Sequence, residues 1–352
     1  MQPDKGGTGG TRHGFEQDGE DRLRSQIEAY HGAALAYAAV KLGLPETMGS
    51  RGWTADELAA ELRLSSPHLL RFLRGLATLG ICEERSDRTF ALGPLGQSLA
   101  SGSPSRLGEK VAIVVEQYWG PWADLVFCLK TGNPSFDHVF GKSVWDWRRE
   151  HREQGRLFES YLAHQTFAQG ASILEALECA AEVRKVVDIG GGCGALLVPL
   201  LIGFPHLAGV LFEKPHMIEM AKPFLQLFDQ FRFRERIALV AGDYFNAIPI
   251  QADLYLLKNV LQQWDDAEAL AILRNVRNAM PECARVAVIE RPLPERTTDP
   301  VSVMIDLHMM VINGGRVRTL QEFERLLAEA NLALSEVHAT SSGLSVIEAG
   351  PA

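Results

Sequence analysis

No apolar run in this chain is long enough to span a bilayer, and the N-terminus, Met1-Gln-Pro-Asp-Lys-Gly-Gly-Thr-Gly-Gly10, holds no apolar signal core. These absences predict a soluble, cytoplasmic protein with a disordered tip over residues 1–20 and no membrane partner. Positive charge is also in deficit: 35 Lys and Arg face 44 Asp and Glu, a formal net charge of −9. That sign argues against nucleic acid as the main partner. Cysteine is scarce and unpaired. The five (Cys82, Cys128, Cys179, Cys193, Cys283) are scattered, odd in number and without a C-x-x-C pair, so neither a disulfide framework nor a zinc site is indicated, and free buried thiols are expected.

What is present begins with Lys185-Val-Val-Asp-Ile-Gly-Gly-Gly-Cys-Gly194. Val186, Val187 and Ile189 read as a buried parallel strand that ends at Asp188 and breaks into glycines where a helix should start. Glycines there permit positive φ and let a ligand approach the main chain. The spacing is G-x-G-x-G from Gly190 through Gly192 to Gly194, one residue tighter than a dinucleotide fingerprint. The lysine and Ser/Thr of a phosphate loop are missing. A second apolar run ends at Glu213, where a doubly wound sheet places a group that reaches ribose hydroxyls. A third ends at Val240-Ala-Gly-Asp-Tyr-Phe245, contributing Asp243. Glycine turn, ribose acid and a further acid near the base describe an adenosine site without pyrophosphate.

The 352 residues, 46% of them hydrophobic, suffice for one large or two moderate domains with full cores. Residues 21–105 read as a winged-helix domain. Apolar residues recur at helical spacing from Arg22 to Leu44, and the face so formed needs another domain or subunit to cover it. Thr54-Ala-Asp-Glu57 is a capping box opening a helix to Leu62. Ser66-Pro67 opens the next, with Ser66 as N-cap, and two short hydrophobic pieces, 81–83 and 89–92, follow. A DNA-binding regulator is the remote alternative for this shape, disfavoured by Glu83, Glu84 and the acidic chain; a dimerisation module is favoured. Residues 106–180 form a helical lid region dense in aromatics, which suits a flat, apolar acceptor. Candidate substrate contacts there are Tyr118, Trp119, Trp122, Phe158, His164 and Phe167, joined further on by Met309 and Asn313. From 181 to 352 strands (185–190, 208–213, 236–241, 252–257, 284–290, 344–349) alternate with helices (193–202, 215–229, 266–279, 319–330). That rhythm predicts a Rossmann-like, doubly wound, mostly parallel sheet with its ligand at the strands' carboxyl ends.

Leu256-Leu-Lys-Asn-Val-Leu-Gln-Gln-Trp-Asp-Asp266 makes a resemblance specific. It looks like the L-K-x-x-L-H-D-W-x-D segment of the class I S-adenosylmethionine-dependent small-molecule O-methyltransferases, the plant caffeate, flavonoid and hydroxyindole enzymes and their bacterial antibiotic-tailoring relatives. Asp306-Leu-His-Met-Met310, Gly314-Gly-Arg-Val-Arg-Thr319 and Ser345-Val-Ile-Glu348 extend the likeness from about residue 25 to the end. The resemblance implies a homodimer that methylates a small-molecule substrate in secondary metabolism. It further implies a cofactor site built from Asp188, Gly190, Gly192, Glu213, Gly242, Asp243, Tyr244 and Lys258.

The pattern breaks at one position. The family's general-base histidine is here Gln262, and its following aspartate is Gln263, while the two flanking carboxylates match Glu290 and Glu322. An amide takes no proton near neutral pH. Three readings follow: an acceptor that needs no base (ring nitrogen, activated carbon, carboxylate or acidic phenol); another base, with His308, His164, Glu290 or Asp306 as candidates; or a pseudo-methyltransferase that uses the cofactor for a pericyclic, decarboxylating or hydroxylating reaction. Asp306 and His308 lack a third ligand, so no metal is expected.

Overall fold

The computed structural model describes residues 10–177, 182–228 and 235–352, so Cys179 lies outside the described residues. Two compact units divide at Met1–Gln117 and Tyr118–Ala352. The expected lid region is therefore cut: its first residues belong to the N-terminal unit, and from Tyr118 it groups with the sheet.

In the N-terminal unit a helix spans Gly10–Glu28 and a second Tyr30–Lys41. Helix thus replaces the expected disordered tip from residue 10 onward, and the single helix expected from Arg22 to Leu44 is two. Leu23, Ile27 and Tyr30 on these helices stay exposed. Helices Ala55–Leu62 and Ser66–Thr78 follow, then the antiparallel pair β1 (Cys82–Glu84) and β2 (Phe90–Leu92). Thr54 and Glu57 close the reciprocal capping box read from the sequence. The next helix begins one residue earlier than expected: Ser65 is its N-cap, bonded through its hydroxyl to His68 Nδ1 at 2.8 Å rather than to a backbone N–H. Leu58, Leu69, Leu73, Leu76, Trp53 and Phe90 bury together as this unit's core.

The second unit is built on a seven-stranded sheet in the order β5-β4-β3-β6-β7-β9-β8. Its strands are β3 (Lys185–Ile189), β4 (Ala208–Glu213), β5 (Ile237–Ala241), β6 (Leu254–Lys258), β7 (Arg285–Glu290), β8 (Leu332–Ala339) and β9 (Ser345–Pro351). β3 to β7 pair in parallel, whereas β9 runs antiparallel to both β7 and β8. The order reverses between β3 and β6, so loops leaving their carboxyl ends diverge and open a crevice there. Val187, Tyr255, Val286 and Ile347 pack one face of the sheet, and Val186, Leu254, Ala287 and Val346 the other, each face covered by helices.

Two elements depart from the sequence reading. β8 was not expected: Leu332-Ala-Leu-Ser-Glu-Val-His-Ala339 is an edge strand, mostly exposed, without the apolar run of its central neighbours. The helix after the glycine turn starts at Leu197, not residue 193, because Gly194 takes φ +78° and holds the chain in turns. Among the described residues no helix is long and apolar enough to cross a membrane.

Candidate active site

The crevice collects the sequence-derived cofactor residues. β3 ends at Asp188 and Ile189, and the chain then turns through Gly190 (φ +65°) and Gly192 (φ +59°), conformations that L side chains rarely adopt. Asp188 lies under this turn, 1% exposed, and among the described residues neither carboxylate oxygen has a hydrogen-bond partner. Burial pushes its pKa to about 7, against the pull of nearby Lys258. Glu213 closes β4, accepts the Lys214 N–H, and is likewise pushed by burial to about 7. Asp243 accepts the Phe245 N–H at 3.0 Å, an Asx turn after β5, and the buried Tyr244 ring stands against Gly190. Lys258 stands at the end of β6. Its buried amine donates to Thr166 Oγ1 at 3.1 Å, and burial lowers its pKa to about 8 although Asp188 and Glu290 draw it up.

At Gly242 a Cβ would lie 2.3 Å from the buried Phe212 ring. Gly242→Ala is accordingly expected to lower stability by about 1–3 kcal/mol through overpacking and to displace Asp243. Thermal unfolding with and without cofactor checks this; an unchanged transition would contradict the close approach.

Gln262 occupies a 3₁₀ turn, Leu261–Gln263, between β6 and the helix Asp266–Ala279. Its backbone N–H donates to Glu290 Oε1 at 2.9 Å, while Glu290 Oε2 is buried without a partner among the described residues. Burial pushes Glu290 to about 7, against the backbone N–H groups of Gln262 and Leu261. The other flanking carboxylate is differently employed. Glu322 accepts the Thr319 N–H at 2.8 Å in a capping box and pairs with Arg316, so both its oxygens hold the loop together. Its pKa falls despite burial because Thr319 and Arg316 favour the ionised form.

Sequence reasoning missed the fastener of this turn. Arg318, fully buried, donates to Leu261 O (2.9 Å) and Trp264 O (3.0 Å) and pairs with Asp266 at 2.9 Å. Gly315 packs against the Gln262–Gln263 backbone so closely that a Cβ would meet Gln262 O at 2.3 Å.

The aromatics divide into core and site. Phe136, Phe140 and Trp147 pack on one another and on Val311 and Ile312 as a local core. Tyr118 and Trp122, partly buried against that same core, also flank His308, Tyr118 edge-on at 4.4 Å between ring centroids. Trp122 Nε1–H donates to His308 Nδ1 at 3.1 Å. An indole only donates, so Nδ1 is the acceptor and the neutral ring carries its proton on Nε2. In that form Nδ1 is engaged by Trp122 and takes no proton from an acceptor. Phe158 carries the buried Arg148 guanidinium 3.3 Å above its ring, and Arg148 donates to Tyr118 OH at 3.2 Å. Trp119 is half-buried on the same short helix as Trp122, and His164 is half-buried on the helix Arg152–Ala176.

The remaining candidates make contacts of their own. Phe167 is 42% exposed and leans on Phe228, nine residues and half a turn of helix away from Phe158. Met309 and Asn313 touch each other, and Asn313 Oδ1 accepts the Gly315 N–H. Asp306 accepts the Val317 N–H at 2.8 Å, which assigns it to loop structure. No cluster of metal-ligating side chains occurs among the described residues.

The residues present fit an adenosyl cofactor: a positive-φ glycine turn, an acid at the next strand end, and a buried carboxylate, Asp188, with no partner among the described residues. Comparison with known proteins agrees. Residues 122–333 match the O-methyltransferase domain and residues 26–102 the O-methyltransferase dimerisation domain. The chain is 33% identical over 329 residues to phenazine O-methyltransferase of Lysobacter antibioticus, covering 94% of this chain and 95% of that protein. It is 30% identical to 8-amino-8-demethylriboflavin N,N-dimethyltransferase of Streptomyces davaonensis, covering 90% and 91%. An O-methyltransferase from neocarzinostatin biosynthesis, solved with S-adenosylmethionine and 2-hydroxy-5-methyl naphthoic acid, superposes with a TM-score of 0.79 at 26% identity, covering 92% and 96%. The chain is a member of the O-methyltransferase family, a class I methyltransferase with S-adenosylmethionine as its cofactor.

Proposed function

We propose that this enzyme, as a homodimer, methylates a small aromatic secondary metabolite whose accepting atom is already nucleophilic: a nitrogen, an activated carbon or an acidic oxygen. The bound cofactor supplies an electrophilic methyl group on a sulfonium. The observation that carries the reading is Gln262, held by its N–H on Glu290 in the turn where the sequence resemblance implies a histidine base. An amide there orients an acceptor by hydrogen bonding and takes no proton. His308, with Nδ1 occupied by Trp122, offers no substitute through that atom, and Asp306 is spent on the loop. Alignment of nucleophile and methyl then carries the rate, with Tyr118, Trp122 and Phe158 as walls for a flat ring. Leu23, Ile27 and Tyr30, exposed on the first two helices, supply apolar surface for a second subunit. The relative named for N,N-dimethylation supports a nitrogen acceptor in particular.

The test is methyl transfer from labelled cofactor to acceptors of graded acidity. Rates for phenols should climb with pH toward each phenol's own pKa, and aromatic amines and carboxylates should react without that dependence. Gln262→His should change rates for acidic acceptors less than about tenfold while raising those for weakly acidic phenols, general-base catalysis being worth about 10²–10⁴-fold. Equal rates at pH 7 for a phenol of ordinary acidity and a strongly acidic one would refute the proposal. Turnover of the true substrate without S-adenosylhomocysteine would favour the pseudo-methyltransferase reading instead.

A further inference from the structure

The helix Arg152–Ala176 lays a stripe across the mouth of the crevice at spacings of four, three and four residues: Glu159, Ala163, Thr166 and Gly170. Three of the four are small and each seats on a defined neighbour: Gly170 on Pro199, Thr166 on the Lys258 amine, Ala163 on Cys193 and Ala195. Register on one face is thereby fixed, and the fourth member, Glu159, is delivered to the glycine turn. Its Oε2 lies 3.6 Å from where a Cβ on Gly192 would stand.

We propose that Glu159 is a cofactor-binding residue whose carboxylate accepts the ammonium group at the amino-acid end of S-adenosylmethionine. Among the described residues its oxygens have no hydrogen-bond partner, only longer-range interactions with Arg148 and Glu213. Glu159 is half-buried, and a carboxylate held that way without a donor from the chain favours a ligand that brings one. Glu213, across Gly192, is the acid placed to hold the ribose, so Glu159 serves a different part of the ligand. Of the ligand's two cationic centres, the sulfonium has no hydrogen to donate, and the ammonium has three. The groups facing Glu159 are Arg148 and Tyr118 from the aromatic wall, Glu213 from β4 and the Cys193 thiol from the turn. Burial holds Glu159 at about 7 and keeps Cys193, pushed to about 12, a neutral thiol. An ammonium beside Glu159 lowers its pKa, so binding at pH 7 expels protons.

The test is calorimetric titration of wild type and Glu159→Gln with three ligands: S-adenosylmethionine, S-adenosylhomocysteine and 5′-methylthioadenosine, which lacks the amino-acid end. The variant should bind the first two about 10- to 100-fold more weakly, the range for a hydrogen bond to a charged group. It should bind the third as wild type does, and should release fewer protons with S-adenosylmethionine when heats are compared in two buffers at pH 7. Loss confined to S-adenosylmethionine would place the carboxylate at the sulfonium and overturn the proposal, as would unchanged or uniformly lowered affinities. If the Gln variant fails to fold, Glu159→Asp keeps the charge and should weaken the first two ligands by a smaller factor; no effect there would also overturn it. The inference rests on the cofactor site already described, and wild type binding none of the three would refute that site instead.

Discussion

Arg318→Leu is expected to cost this enzyme about 3–5 kcal/mol of stability and to abolish most activity, although Arg318 touches neither cofactor residue nor aromatic wall. The guanidinium is fully buried, and its partners are two backbone carbonyls, Leu261 O and Trp264 O, and the Asp266 carboxylate. Leucine fills much of the volume but leaves both carbonyls desolvated and unpaired. The carbonyls bracket the turn that presents Gln262, so whatever fraction still folds should show a lowered kcat. Asp266→Ala is the contrast. Asp266 is more than half exposed, so the pair is partly screened, but its loss leaves the buried guanidinium short of a partner and should cost about 1–3 kcal/mol. Arg318→Lys should fall between, because an ammonium cannot span both carbonyls and the carboxylate as a planar fork does. Calorimetric unfolding of the three variants checks the ranking; a leucine variant that unfolds with the wild type would sink the clamp.

Why the clamp was illegible in the sequence, when the glycine turn was not, follows from how each signal is carried. Val186-Val-Asp-Ile-Gly190 announces itself because a buried parallel strand and a positive-φ turn each restrict residue type locally. Glu213 and Asp243 sit at fixed offsets from strand ends, so strand rhythm finds them. Arg318 acts more than fifty residues back along the chain, on backbone atoms whose identity leaves no trace in sequence. Glu159 and Arg148 were hidden differently: each is one charged residue in a helix with many, and only packing shows which face is enclosed. Glu322 was half legible. Its place in the family pattern is clear, yet the pattern does not reveal that Thr319 and Arg316 take both its oxygens. β8 escaped notice because an edge strand need not be apolar, so the antiparallel rim of the sheet was incompletely read.

The acids of the crevice also set a relation between stability and binding, and Asp188→Asn should expose it as a variant that folds better and binds worse. Asp188 is buried, its oxygens have no partner among the described residues, and its folded pKa is about 7 against an ordinary 3.8. The sign follows from linkage. Below about 4 both folded and unfolded chains hold the proton. Between there and about 7 the unfolded chain ionises while the folded one does not, so stability falls as pH rises; above 7 the loss is complete, on the order of 4 kcal/mol. Asparagine copies the shape of the protonated acid and does not ionise. The ligand-free variant should therefore unfold several degrees above wild type at pH 8, with the gain shrinking toward pH 5. Cofactor binding should run the other way: the variant loses a negative charge beneath the turn that receives a cationic ligand, so its thermal shift with S-adenosylmethionine should be smaller than that of wild type. Lys258, left facing Glu290 alone, should titrate lower still, since Asp188 is the first of the charges that raise it. A ligand-free variant less stable than wild type at pH 8 would mean that the folded protein stabilises the ionised carboxylate, and the burial argument would fail. The expected pair of outcomes would identify Asp188 as a group retained for the ligand's charge at the expense of the empty fold.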